Sequence, residues 1–221
     1  NDFQQYAYNT GSVTRLIGLG GVFALSFSAV FFRLAHVSQT TATLFRAVYA
    51  APVLGILYLW ARPDTPGTRP LAHAMAIASG VLLALDLVFW HMGIDLVGMG
   101  LATIAASIQV VLVATVGWAR DGERPSAFAA AVIGLVLTGV ALTSGVLDGA
   151  SYGASPAAGV AISVLAGICY AGFLVVFRDA SRLGLHPVSA LTDATFGMAL
   201  GALACAGFDA GFSLIPTWPA H

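Results

Sequence analysis

Runs of about twenty apolar residues, separated by short polar stretches, constrain the fold of this chain more than any other feature. A helix needs roughly 20 apolar residues to cross the hydrocarbon core of a bilayer. Only 9% of the residues are charged, whereas soluble domains have about a quarter. The sequence therefore predicts an all-α, polytopic membrane protein. We expect a helical bundle with about seven transmembrane helices, near residues 13–34, 40–61, 71–93, 98–118, 126–147, 156–177 and 188–207.

Charge and cysteine content exclude several other classes of protein. The formal net charge is -1 and the nine basic residues are all arginines, scattered singly, so we expect no nucleic-acid partner. Cys169 and Cys205 lie in apolar runs without a nearby Cys or His at ligand spacing, which favours buried thiols over a metal site or disulfide. The sequence has no GxxxxGK[ST] phosphate-binding loop. We therefore predict no cofactor, no metal and no ATPase activity in this chain.

The distribution of arginines predicts the orientation in the membrane. Arginines in short loops mark the cytoplasmic side. On the predicted topology one side carries most of them, and the other side carries only Arg33 and Arg46 near span ends. This places the N-terminus in the cytoplasm. The arginines on the predicted cytoplasmic side are Arg15, Arg62, Arg69, Arg120, Arg124, Arg178 and Arg182.

Small residues recur at intervals of four along several predicted spans. Such stripes allow helix backbones to approach closely within a membrane. We expect close helix contacts along four of them: Gly20, Ala24 and Ser28; Ala130, Gly134 and Thr138; Gly159, Ser163, Gly167 and Ala171; and Gly197, Gly201 and Cys205.

A short internal repeat relates the sixth and seventh spans to the first and second. Residues 30–33 (VFFR) align with 175–178 (VVFR), and residues 44–47 (LFRA) align with 191–194 (LTDA), which sets Asp193 against Arg46. Five spans separate the copies, and an odd number inverts the second copy relative to the first. Inverted repeats that meet near the membrane midplane are a transporter architecture.

Several landmarks in their order resemble the drug/metabolite transporter superfamily, and specifically its EamA-type members. They are LSFSAVFFRLA in the first span, LFRAVYAAP in the second, DLVFWH with GMGLATI, and Gly122-Glu123-Arg124 after the fourth. The resemblance implies ten helices in two inverted five-helix repeats and a location in the bacterial plasma (inner) membrane. We therefore expect a tail at 1–12, a first repeat at 13–147, a linker at 148–155 and a partial second repeat at 156–221, as in part of a longer protein. Many members have Pro where this chain has Gln109, so we expect an unbroken fourth helix.

Asp86 is the leading candidate for the transport path, because ionisable groups inside spans are rare and usually functional. Trp90 lies one turn later on the same face, so the two would offer a carboxylate and an aromatic wall to an amine-bearing substrate. The structural alternative is that Asp86 pairs with Arg46 or Arg33 and locks helices together, and that Trp90 packs between helices.

The other candidates are polar or aromatic residues within spans. Gln109 and Tyr170 could bind substrate or serve helix packing, and Phe27 and Ser28 are further candidates on the first span. His91 lies away from Asp86 around the helix and is expected to pair with Asp95, one turn on. We assign charge pairing or gating to Arg33, Arg46, His91, Asp95 and Asp193.

The sequence favours a secondary transporter that exports a small metabolite or amino acid by alternating access, driven by a proton or substrate gradient. Its partners are then a small-molecule substrate and the lipid bilayer, with a homodimer if no further spans follow. One alternative is a membrane scaffold or assembly subunit without transport. The least favoured is an intramembrane acyltransferase-like enzyme, because His91-Met92-Gly93-Ile94-Asp95 matches an HxxxD pattern but lacks an accompanying nucleophile.

Overall fold

The structure is a computed structural model that describes residues 19, 20, 23, 37–61, 70–122, 126–143, 155–209 and 211–214. The chain divides into two compact units, Gln39–Phe212 and Asn1–Ser38 together with Ser213–His221. Everything below concerns the first unit. Most of the first predicted span, including Phe27, Ser28 and Arg33, lies outside the described residues.

Seven helices make up the described part of this unit, and no strand occurs among those residues. They are α1 (Gln39–Ala61), α2 (Pro70–Val97), α3 (Met99–Ala106), α4 (Ile108–Asp121), α5 (Ala127–Thr143), α6 (Pro156–Arg182) and α7 (Pro187–Ala206).

Five stretches among the described residues are helical, long and apolar enough to cross a membrane: α1, α2, α3 with α4, α6 and α7. They correspond to the second, third, fourth, sixth and seventh predicted spans. The fifth predicted span forms the shorter helix α5, which has 17 residues. The prediction of a polytopic helical bundle is confirmed, whereas the count of seven spans is not established by the described residues.

The turn between α2 and α3 is tighter than the sequence suggested. Residues Ile94–Val97, expected in a turn, continue the helix, and the chain reverses at Gly98, whose φ of 81° and ψ of 159° suit only glycine. Its N–H donates to the carbonyl of Ile94 at 2.8 Å. Because the helix continues to Val97, Asp86 lies three turns from the end of α2.

The expectation of an unbroken fourth helix is wrong, because the helix is interrupted at Ser107, between α3 and α4. The Ser107 hydroxyl donates to the Thr103 carbonyl at 2.7 Å. The Val110 N–H donates to the Ser107 carbonyl at 3.1 Å, a three-residue step in place of the regular four-residue one. Back-bonding of a serine hydroxyl to its own helix competes with the backbone pattern and bends helices. A break therefore forms without the proline that Gln109 replaces.

Helix α2 is the centre of the bundle and packs mainly against α6 and α7. A Cβ on Gly80 would collide with the backbone carbonyl of Ala194, and one on Gly197 with the carbonyl of Ile77. On the other side of α2, a Cβ on Gly93 would collide with Ser163. The stripes predicted on α6 and α7 are thus confirmed as sites of close approach.

The stripe predicted on α5 is not at such a contact, since a Cβ on Gly134 would meet nothing within 4 Å among the described residues. Helix α1 turns a large apolar face outward. Its exposed side chains, including Tyr49, Ile56, Leu59 and Trp60, suit contact with lipid.

Candidate functional site

Asp86 is the most buried of the acidic and basic residues in the described spans, with 9% of its surface exposed. It lies near the middle of α2, between the buried residues Ala84 and Val88. Within the described part of the chain, its carboxylate has no hydrogen-bond donor and no ion-pair partner within 4 Å. A carboxylate in this position costs several kcal/mol unless a cation or a donor compensates it. Asp86 is thus a buried acidic group that no described side chain neutralises by direct contact.

Helices α1 and α6 bring their own polar side chains to Asp86. Arg46 of α1 interacts electrostatically with Asp86, and its side chain is partly exposed. On α6, Cys169 and Tyr170 lie close enough to Asp86 to interact electrostatically with its carboxylate. Tyr170 also stacks against Phe173, with ring centroids 5.6 Å apart. The arrangement thus has opposite charges on two helices and an aromatic phenol on a third.

Gln109 lies at the same depth as Asp86. The chain reverses at Gly98, and the two residues lie about the same number of residues on either side of that turn. At a rise of 1.5 Å per residue, both are about 17 Å from it. Gln109 is half-buried in the first turn of α4, directly after the break at Ser107. Discontinuous helices near the midplane are a recurrent feature of transporter sites.

Trp90 and His91 lie closer to the end of α2. Their rings meet edge to face, with centroids 5.1 Å apart, and both are half-buried. His91 Nδ1 lies 2.5 Å from the carbonyl oxygen of Leu87. The expected partner Asp95 interacts with His91 electrostatically, while its Oδ2 accepts a hydrogen bond from Gln39 Nε2 at 3.1 Å. Asp95 therefore also joins the end of α2 to the start of α1.

Charged side chains join α4 to α6 at one end of the bundle. Arg120 donates to Asp179 at 2.8 Å, and Asp121 accepts from Arg182 at 2.8 Å and also from Arg178. Sequence analysis placed these arginines on one side of the membrane, and the structure brings them together. The acidic partners were not predicted, because they lie almost sixty residues away in sequence.

Asp193, aligned with Arg46 in the sequence repeat, also faces α2. Its Oδ2 lies 2.6 Å from Nδ1 of His73, on the first turn of α2. Sequence analysis did not identify His73, because it follows Pro70 at the edge of an apolar run and its partner is 120 residues away. A histidine at the third residue of a predicted span is the one signal that could have singled it out.

Two apolar grooves lie away from Asp86. One, of about 580 Å³, runs between α1 and α7 and is lined by residues such as Ala51, Tyr58 and Phe196. The other, of about 330 Å³, is lined by α3, α4, α5 and α6. Neither groove has an ionisable residue other than Tyr58 in its lining, so both suit hydrocarbon chains rather than a polar substrate.

Comparison with known protein families identifies the class to which this chain belongs. The sequence model of the EamA-like transporter family matches residues 14–145, more than half of the chain. The chain belongs to the EamA-like transporter family. No curated protein and no solved structure matches it.

Family membership makes this an integral membrane protein and a membrane transporter of the drug/metabolite type, whose partners are the lipid bilayer and a small-molecule substrate. The family is one of transporters rather than enzymes. The match includes Asp86, Arg46 and Gln109 but ends before α6, so it does not cover Tyr170 or Asp193.

Proposed function

We propose that this EamA-like protein is a secondary transporter of the bacterial plasma membrane that exports a zwitterionic amino acid by alternating access. The observation that carries the proposal is the pairing of Arg46 with Asp86. The two groups attract each other electrostatically but are not in contact within 4 Å. A zwitterion can fill this gap, with its ammonium group on Asp86 and its carboxylate on Arg46.

The surroundings of the two charges support the same substrate class. Tyr170, which interacts electrostatically with Asp86, and Trp90, one turn from Asp86 on α2, would provide aromatic surface, and Gln109 an amide, for the rest of the molecule. Electrostatic complementarity gives specificity, because a ligand that lacks one of two recognised charges leaves a protein charge without its partner. We therefore expect the ammonium and the carboxylate to be recognised together.

The repeat architecture supplies the proposed mechanism. The first repeat, at 13–147, and the partial second repeat, at 156–221, would be related by inversion, with the linker at 148–155 between them. The N-terminus would be cytoplasmic. Alternating access then exposes Asp86 and Arg46 first to one side and then to the other.

Counterflow into proteoliposomes tests this proposal. The panel contains labelled amino acids, the amines that lack their carboxylate and the acids that lack their ammonium. Asp86→Asn should reduce amino acid counterflow by at least about 30-fold, since breaking one partner of a sheltered charge pair costs 2 kcal/mol or more. Arg46→Gln should have a similar effect on amino acids and little effect on the amines.

Asp179→Asn is the matched control, because it removes an aspartate from an exposed ion pair at the end of α6. It should leave counterflow unchanged within about twofold. Undiminished amino acid counterflow by Asp86→Asn would show that Asp86 only holds helices together. Counterflow of none of the three classes by the wild-type protein would contradict amino acid transport.

A further inference from the structure

The His73–Asp193 pair joins two helices whose backbones already touch. One helical turn beyond the pair, Gly197 packs on the Ile77 carbonyl, and Gly80 packs on the carbonyl of Ala194, the residue after Asp193. Helices α2 and α7 run parallel, because His73 contacts Asp193 near the start of both helices and Ala84 meets Gly201 further along both. The close backbone contact holds the helices together, so the pair is not needed to do so. Its distance of 2.6 Å is set by a rigid frame.

The pair is partly exposed and lies within candidate membrane-spanning helices. His73 has 38% and Asp193 23% of its side-chain surface exposed. A half-exposed ion pair contributes at most about 1 kcal/mol to stability. Ionisable side chains inside spans generally serve ion or proton movement, and histidine is the side chain that changes charge near neutral pH.

The hydrogen bonding of the pair leaves one ring nitrogen for an incoming proton. If Nδ1 carries the hydrogen and donates to Asp193, Nε2 has a free lone pair, and no hydrogen-bond partner for it lies among the described residues. A proton from water can add to Nε2 without breaking the bond at Nδ1. The imidazolium formed then lies against the Asp193 carboxylate.

The placement of the pair mirrors that of Arg46 and Asp86. Arg46 lies about two turns into α1 and interacts with α2, and Asp193 lies about two turns into α7 and also contacts α2. The partners Asp86 and His73 are 13 residues apart on α2, about 20 Å along the helix. One ionisable site thus lies near the middle of α2 and another near its start.

The helices packed at this end of the bundle carry other ionisable groups, and most of these already have ion-pair or hydrogen-bond partners. Arg178, Asp179 and Arg182 of α6 and Arg120 and Asp121 of α4 form ion pairs with one another. Nδ1 of His186, at the start of α7, accepts from the Val188 N–H. Tyr58 lies in the last turn of α1. Arg62, Asp64 and Arg69 fall outside the described residues.

We propose that His73 and Asp193 form a proton-binding site that couples transport to the pH gradient, separate from the substrate site at Asp86. The proposal rests on the transport function proposed above and names its coupling ion. One proton binds His73 on one side of the membrane and leaves after the change in access. The substrate never contacts this pair.

Comparing driven uptake with counterflow separates coupling from transport. Proteoliposomes receive the amino acid with the strongest counterflow, under a pH gradient of one unit applied in each direction. If one proton is coupled to each substrate molecule, a gradient of one pH unit can drive about tenfold accumulation, because one pH unit is a tenfold difference in proton concentration. Wild-type protein should reach accumulation approaching this value in one direction of the gradient.

His73→Gln and Asp193→Asn should accumulate nothing above equilibrium, while counterflow stays within about threefold of wild type. Asp179→Asn, the control at the same end of the bundle, should accumulate like wild type. Full pH-driven accumulation by His73→Gln would overturn the proposal. Loss of counterflow as large as the loss of accumulation would also overturn it, because it would show that the pair has a structural role.

A second readout does not depend on substrate. Histidine-labelled full-length protein in lipid nanodiscs is titrated by nuclear magnetic resonance, and the His73 signal is assigned by its absence in His73→Gln. A proton-binding site requires the His73 signal to respond to pH. A signal that shows one protonation state at every pH at which the protein stays folded would overturn the proton site, whether or not transport is seen. Failure of transport with a titrating His73 would instead count against the amino acid substrate.

Discussion

The contact between α2 and α7 gives the sharpest prediction about the fold. Gly197→Ala places a Cβ against the carbonyl oxygen of Ile77, and Gly80→Ala places one against that of Ala194. Both obstacles are backbone atoms, which cannot move aside by changing a rotamer. Relief requires the helices to separate, and overpacking of this kind costs about 1–3 kcal/mol.

Gly55→Ala on α1 is the matched control, because its Cβ would meet nothing within 4 Å among the described residues. All three substitutions gain the same helix propensity, about 0.5–1 kcal/mol in favour of alanine. The difference between Gly197→Ala and Gly55→Ala therefore isolates the cost of the contact. We expect that difference to be about 1–3 kcal/mol, favouring the control.

Thermal unfolding in detergent, followed by tryptophan fluorescence, measures this difference. Each kcal/mol corresponds to about 2–4 °C in the unfolding midpoint for a chain of this size. The double variant Gly80→Ala/Gly197→Ala should lose less than the sum of the single losses, because one separation of the helices relieves both clashes. Equal midpoints for Gly197→Ala and Gly55→Ala would refute the close approach of α2 and α7.

Three further predictions concern other contacts. Gly93→Ala should destabilise by about 1–3 kcal/mol, and adding Ser163→Ala should recover part of the loss by removing the hydroxyl that the new Cβ meets; no recovery would contradict that contact. Asp121→Asn should lower the unfolding midpoint only slightly, and less at high salt, because its arginine partners are half-exposed; an effect independent of salt would contradict this. In detergent, Cys205 should react with maleimide faster than the buried Cys169, as mass spectrometry of the modified peptides can show.

Much of the architecture could be predicted because a membrane imposes simple rules on sequence. Apolar runs of about twenty residues located α1, α2, α6 and α7 to within a few residues at most ends. Small residues at intervals of four, such as Gly197 and Gly201, identified the faces that pack closely. Asp86 was conspicuous because a carboxylate interrupts an otherwise apolar run.

The features that were missed depend on contacts between distant parts of the chain or on weak local competition. The break at Ser107 arises from a serine hydroxyl that bonds its own helix, a signal far weaker than proline. The partners of His73 and Asp121 are on helices tens of residues away, where no periodicity links them. The depth shared by Asp86 and Gln109 could be counted only after the turn had been fixed at Gly98.

Accessibility of position 86 to water tests the central claim, that Asp86 lies on the substrate path. Asp86→Cys is made with Cys169→Ser and Cys205→Ser, so that position 86 carries the only thiol in the chain. A membrane-impermeant cationic thiol reagent is then applied to the protein in proteoliposomes. We predict that position 86 is modified by the reagent from the aqueous phase. A thiol that stays unmodified in the membrane, but reacts after denaturation, would contradict the account.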